Sequence, residues 1–240
     1  DVYKRQGVGT GPGGEGLIPV AAWEAVQSAR WVYLPRARGA EGSVATLGLP
    51  GEIPRERIVE VEFDMALEHA SLVERYGAMA EGIVAKLLAG EDVAYLTIGD
   101  TSTYSTFNYA LKAVKERMPE VRVRVFPGVT SYAALAAESG FSLGEKKERV
   151  LILPCPETRE EFRVHVLAHH VVVVMKMGPR LGWVLEVLRE EGLLEHSYLG
   201  SRVGMEGEVL LRGSSIAEHR GGRLGYFSTL LVRNVHLQER

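Results

Sequence analysis

The chain has 240 residues, 46% of them hydrophobic and 25% charged, a formal net charge of -3 and a single cysteine. That length suits one large or two smaller α/β domains; the charge argues against bulk nucleic-acid binding, which shows as a basic excess, and leaves room for a local basic patch, and a lone thiol excludes an intrachain disulfide. No apolar run approaches the ~18 residues of a membrane span and no signal-peptide pattern is present, so a cytoplasmic protein is expected.

The start, DVYKRQ, lacks an initiator methionine and puts charges where a buried first strand should run into GVGTG; a truncated or replaced end is expected there. GVGTGPGGEG (7–16) is a glycine-rich turn, 17–29 has helical spacing, and WVYLP (31–35) reads as a strand stopped by proline. Residues 36–57 are rich in Gly, Pro and charge, with Leu47, Leu49 and Ile53 isolated among them. This predicts a segment that is mobile until a ligand orders it, or a passive surface loop. IVEVEF is a strand and 65–89 a long helix; VAYLTIG, STFNYALKAVKERM and VRVRVF continue as strand, helix, strand, and PGVTSYAALAAESG as a turn and helix. Strand and helix thus alternate over 7–140, which predicts a mostly parallel sheet. After FSLGEKKE the pattern restarts with strand RVLILPC, helix 157–169, strand VVVVMK, helix PRLGWVLEVLREEG, and strands in SYLGSRVG, EVLLRG and YFSTLLVRN. The expectation is two α/β domains, 1–144 with a mostly parallel sheet and 145–240 with a mixed sheet, joined near 141–148.

Ligands of open α/β sheets bind beyond the carboxyl ends of strands. LTIG ends a strand, so Gly99 and Asp100 lie at such an end, followed by hydroxyls from Thr101 to Thr106. A ligand site and a solvated helix cap, with Thr103 or Ser105 capping, account for these residues equally well. GVGTGPGG also follows an expected strand, but the second strand ends in LPRARG with no acid, which argues against NAD and leaves only an NADP reading through Arg36 and Arg38. Thr130 and Ser131 open a helix after the Pro127-Gly128 turn. His169-His170 reads as a helix end, and Cys155 near His165 as a small buried hydrophobe.

Taken in order, the glycine loop, GDTSTYSTF, FPGVTS, MKMG and RVG resemble the tetrapyrrole (corrin/porphyrin) methylase family over residues 7–232. GDTSTYSTFNYAL, FPGVTSYAALAAESGFSLGEKKERVLILP and YFSTLLVRN look most like the branch that methylates C-20 of precorrin-2 or cobalt-factor II. The resemblance implies a two-domain enzyme, commonly a homodimer, with S-adenosylmethionine (SAM) held between the domains and no metal. It places cofactor contacts on Gly99, Asp100, Thr103, Ser105, Thr106, Thr130, Ser131, Met177 and Val203. It places the tetrapyrrole at Thr10 and Gly11, with Tyr104 nearby. Two departures bear on loop shape: Thr10 stands where the family has proline, in a longer glycine loop, and Thr101 replaces the proline of G-D-P. Methyl transfer from a sulfonium rests on positioning and water exclusion, which suits Gly, hydroxyls and backbone groups. Arg36, Arg38, Lys176 and Arg202 are the basic residues nearest the expected site, suited to the ring's carboxylates, and Asp100 is the candidate proton acceptor. A same-fold methylase acting on RNA or protein is the other reading.

Overall fold

The architecture comes from a computed structural model, which describes residues 5–63, 69–219, 224 and 227–237. In chain order the elements are β1 (Arg5–Gly9), α1 (Val20–Ser28), β2 (Trp31–Ala37), β3 (Ile58–Phe63), α2 (His69–Leu88), β4 (Val93–Thr97), α3 (Phe107–Arg117), β5 (Val123–Phe126), α4 (Ser131–Ser139), β6 (Val150–Pro154), α5 (Arg159–Ala168), β7 (Val171–Met175), α6 (Leu181–Glu190), β8 (Ser197–Ser201), β9 (Val209–Arg212), α7 (Ser214–Glu218) and β10 (Ser228–Arg233). The chain divides into two compact units, Asp1–Thr130 and Ser131–Arg240. The division falls before α4, ahead of the junction expected from sequence. The cause is that α4 packs on β8 and β10, with Leu135 meeting the backbone at Gly200.

The first unit holds a five-stranded sheet of order β3-β2-β4-β1-β5, all parallel. Parallel strands covered on both faces are apolar along their length, and every residue of β4, VAYLT, is buried. The side-chain alternation of a strand sorts these residues onto two cores. Tyr33, Val93 and Tyr95 face α2 and α3, joined by Phe107, Ala110 and Ile83. Val8, Val32, Leu34, Ala94 and Leu96 face α1.

Residues 36–57 are folded, which corrects the expectation that they bury little. Ser43 and Ala45 are buried, Leu49 and Ile53 pack on the α1 core, and Gly51 lies against the Trp23 ring. The Ser43 hydroxyl donates to the Pro35 carbonyl at 2.5 Å and accepts from the Ala45 amide at 3.3 Å. Glycine spacing hid this because the apolar contacts are made one at a time onto α1. β2 also runs on through Pro35 to Ala37, since pairing with β4 has ended at Tyr33 and only β3 continues beside it. β1 begins at Arg5, so its first residues, Arg5 and Gln6, pair with Val93 and Ala94.

The second unit has a mixed sheet of order β6-β7-β10-β8-β9, in which β6 and β7 are parallel and β10 is antiparallel to both β7 and β8. Phe162 and Val166 of α5 and Val184, Val187 and Leu188 of α6 close one face over Val172, Val174, Leu199 and Leu230. Arg159 and Arg163 of α5 pair with Glu186, Glu190 and Glu191, tying the outer surfaces of these two helices together. α7 was not expected; its five residues are too few to show helical spacing. Among the described residues, no helix is long and apolar enough to cross a membrane.

Gly7 of β1 lies under the Phe107 ring, where an added Cβ would come within 2.3 Å of Cζ. Gly7→Ala is expected to cost about 1–3 kcal/mol by overpacking, seen as a Tm lowered by several degrees in calorimetry with the far-ultraviolet dichroism preserved.

Candidate functional site

β1 continues through α1 toward the β2–β3 edge of its sheet, while its neighbour β4 continues through α3 to β5 on the opposite edge. The carboxyl ends of β1 and β4 therefore form the point where the strand order reverses, the place at which open sheets leave a crevice. Backbone bonds bind the two ends together. The Thr10 amide donates to the Thr97 carbonyl at 3.0 Å, and Gly11 and Gly99 exchange amide–carbonyl bonds of 3.2 and 2.7 Å.

The end of β5 enters the same contact. A Cβ on Gly128 would lie 2.0 Å from the Gly99 carbonyl oxygen, and one on Gly9 would lie 2.6 Å from the Gly128 amide nitrogen. Real Cβ atoms do not approach so closely, so Gly9 and Gly128 are needed for approach. Gly99 is needed for conformation, with φ of 72°. A Cβ on Gly99 would meet nothing within 4 Å, so space is open beside it.

The polar run after Gly99 is spent mostly on its own shape. Asp100 is buried and accepts bonds at both oxygens. Oδ1 takes the Gly128 amide at 3.0 Å; Oδ2 takes the Ser102 amide at 2.9 Å, the Ser102 hydroxyl, and the Thr103 hydroxyl at 3.1 Å. Burial works to raise the carboxyl pKa, but the bonds from the Ser102 hydroxyl, the Gly128 and Ser102 amides and Thr103 together hold it below its ordinary value of 3.8. The Thr101 hydroxyl donates to the Phe126 carbonyl at 3.3 Å, tying the loop to β5 a second time. Ser105 donates to the Thr97 hydroxyl and accepts the Phe107 amide, both at 3.1 Å, and so starts α3. The Thr106 hydroxyl lies 3.1 Å from the Tyr95 hydroxyl. Tyr104 has φ of 51° and is 47% exposed.

Some expected substrate contacts point elsewhere. Thr10 is buried, its hydroxyl donating to the Thr97 carbonyl at 3.2 Å, and Gly11 is buried against the Leu17 carbonyl. Arg36 is committed to its own sheet. Nη1 donates to the Ala40 carbonyl at 2.6 Å, Nη2 to Glu62 at 3.1 Å, and Nε lies 3.2 Å from Glu60 as an ion pair without hydrogen-bond alignment. A substrate carboxylate would have to displace two carboxylates to reach it. Arg38 is exposed beyond the end of β2.

In the second unit the carboxyl ends of β7 and β8 and the start of antiparallel β10 share one edge. Met177 lies just past β7 with its side chain fully buried in the core, and Val203 just past β8. The Ser131 hydroxyl, at the start of α4, lies 3.0 Å from the Thr229 hydroxyl. Lys176 and Arg202 turn the chain at these strand ends with φ of 57° and 55°, and Arg202 Nε donates to the Glu206 carbonyl at 2.8 Å. Left-handed backbone in such residues costs of order 1–3 kcal/mol and gathers at functional sites.

Sequence reading missed Ser228 and its register partner Ser201. Both are buried on the core face of this edge, above Leu230 and Leu199, and the Ser228 hydroxyl has no hydrogen-bond partner among the described residues. An unsatisfied buried hydroxyl is costly in a finished core, and a ligand at the edge would satisfy it. The signal was present as a serine opening the last strand two residues before Leu230. Cys155 is buried, which pushes its thiol up to about 11, so it is no nucleophile. His169 Nδ1 contacts the His165 carbonyl and His170 Nδ1 accepts the Arg149 amide.

The profile of the Tetrapyrrole (Corrin/Porphyrin) Methylases matches residues 6–216. The chain belongs to the tetrapyrrole methylase family. The chain is 29% identical to cobalt-precorrin-2 C(20)-methyltransferase of Salmonella typhimurium over 231 residues, 95% of each chain. It is 29% identical to precorrin-2 C(20)-methyltransferase of a Sinorhizobium species, over 94% of this chain and 93% of the relative. Among solved structures it resembles a cobalt precorrin-4 methyltransferase, with TM-score 0.70 at 18% identity over 95% of this chain and 94% of that one. It also resembles uroporphyrin-III C-methyltransferase of Thermus thermophilus complexed with S-adenosylhomocysteine, with TM-score 0.61 at 22% identity over 97% and 98%. As a tetrapyrrole methylase the chain is a SAM-dependent methyltransferase. The open space beside Gly99 is compatible with such a cofactor.

Two outcomes test this geometry. Gly128→Ala is expected to destabilise the methylase by about 2–3 kcal/mol, because the colliding atom is backbone and cannot rotate away; urea titration measures it. For Asp100 the folded pKa is the lowered one, so its stabilisation is present above the unfolded value and is lost as pH falls through the folded pKa. The stability difference between wild type and Asp100→Asn should therefore be constant at neutral pH and shrink below pH 3.8, read from urea midpoints across an acid series.

Proposed function

We propose that this chain transfers a methyl group from SAM to the C-20 meso carbon of precorrin-2 or its cobalt-containing counterpart, in cobalamin biosynthesis. The observation that carries the reading is likeness over nearly the whole chain to relatives bearing that activity. We assign Gly99, Asp100, Thr103, Ser105, Thr106, Thr130, Ser131, Met177 and Val203 to cofactor binding, and add Ser201 and Ser228. Within this set, Asp100, Thr103, Ser105 and Thr106 work by fixing the loop, since their side chains bond to the protein itself. Gly99 offers open backbone, and Met177 offers backbone rather than its core-buried side chain. Tyr104 and Arg38, both exposed, are assigned to the tetrapyrrole, the first to a ring face and the second to a carboxylate.

SAM supplies the electrophilic methyl on a sulfonium. The chain's own contribution is to hold donor and acceptor in line and to keep water out, which asks for rigid loops rather than an array of acids and bases. The five hydroxyls Thr101, Ser102, Thr103, Ser105 and Thr106, each bonded within the first unit, supply that rigidity. A homodimer in the cytoplasm completes the proposal.

The test is mass spectrometry after incubation of the purified protein with SAM and either precorrin-2 or cobalt-precorrin-2. One added methyl is expected; no gain with either substrate, alongside methylation of another corrin intermediate, overturns the C-20 assignment. Calorimetry should show heat with SAM and none with NADP. Ser228→Ala is expected to leave Tm unchanged or raised, since it removes an unsatisfied group, while weakening SAM binding by about five- to tenfold.

A further inference from the structure

We infer that Asp100 is a positioning residue that locks the 99–106 loop to the end of β5, and not the proton acceptor of methyl transfer. The inference rests on the methyltransferase reading and concerns what its most conspicuous carboxylate does. A general base needs a lone pair facing the proton it takes. Oδ1 of Asp100 is given to the Gly128 amide and Oδ2 is shared among the Ser102 amide, the Ser102 hydroxyl and the Thr103 hydroxyl. Four donors converge on one carboxylate, and they favour its charged form. A carboxylate so held is a weaker base than a free one, the opposite of the raised pKa that base catalysis uses.

The same bonds describe a clamp. Gly99 is fixed to Gly11 by paired backbone bonds, and the next residue reaches across to Gly128, whose Cα already lies against the Gly99 carbonyl. Asp100 thus joins the loop after β4 to the turn after β5, with Thr101 repeating the link one residue later through the Phe126 carbonyl. The segment Gly128–Val129–Thr130 follows directly on this clamp, so the carboxylate sets where the proposed cofactor residue Thr130 begins. It acts on the cofactor through other groups.

The experiment combines amide exchange by NMR on the ligand-free protein, SAM calorimetry, and the pH profile of methyl transfer. In Asp100→Ala the Gly128 amide should exchange about tenfold faster, SAM should bind about tenfold more weakly, and the residual rate should keep the wild-type pH profile. Asp100→Asn, whose amide oxygen can still accept from Gly128, should hold Gly128 protection within about threefold and recover most of the affinity. Unchanged Gly128 exchange in Asp100→Ala overturns the clamp. Wild-type SAM affinity in both variants, with turnover lost and the acidic limb of the pH profile gone, overturns positioning in favour of a base. Failure of the wild type to bind SAM refutes the methyltransferase reading separately, because the exchange is read without ligand.

Discussion

The first unit depends on a contact that only bare backbone can make. At the carboxyl edge of its sheet Gly9, Gly99 and Gly128 meet closely enough that a methyl group on either Gly9 or Gly128 would overlap main-chain atoms. Three strand ends normally splay as their loops diverge. Here they converge, and the loops after them inherit fixed starting points. The hydroxyl-rich turn, the start of α3 and the turn after β5 all follow from that convergence. The paired bonds between Gly11 and Gly99 extend it one residue beyond the sheet.

Polar groups at such an edge have two possible duties, and the two units divide them differently. In the first unit the hydroxyls of Thr101, Ser102, Thr103, Ser105 and Thr106 bond to a carbonyl, to other hydroxyls or to Asp100, so these groups are satisfied without a ligand. In the second, Ser228 is sealed from water with its hydroxyl unsatisfied, while Ser131 and Thr229 satisfy each other on the opposite face of the sheet. The first edge is therefore prepared by its own bonds, and the second keeps a polar atom in reserve.

Strand and helix alternation was legible because it rests on periodicity, and with it a mostly parallel first sheet and a mixed second one. VAYLT is buried from end to end and VVVVM up to its last residue, and covered strands show as unbroken apolar runs. The position of Gly99 and Asp100 at the carboxyl end of β4 was legible because a glycine and a carboxylate end an apolar run. What stayed hidden depends on long-range contacts. Thr10 reads as an exposed loop hydroxyl until β4 is placed beside it, and Arg36 as a free cation until Glu60 and Glu62 arrive from β3. Residues 36–57 looked unable to hold a shape because Leu49 and Ile53 find their partners on α1, distant in sequence. The family resemblance carried the reaction, which the residues taken singly left open between a helix cap and a binding loop.

The direction of β10 has a consequence for how the chain can be handled. Because it runs against β7, its first residue lies at the edge shared with Met175, while Arg233 lies beside Val171 at the far end of the sheet. The last strand enters at the edge that carries Ser228 and leaves by the opposite one. A label, tether or fused domain attached after it starts out from the side of the sheet away from Ser228.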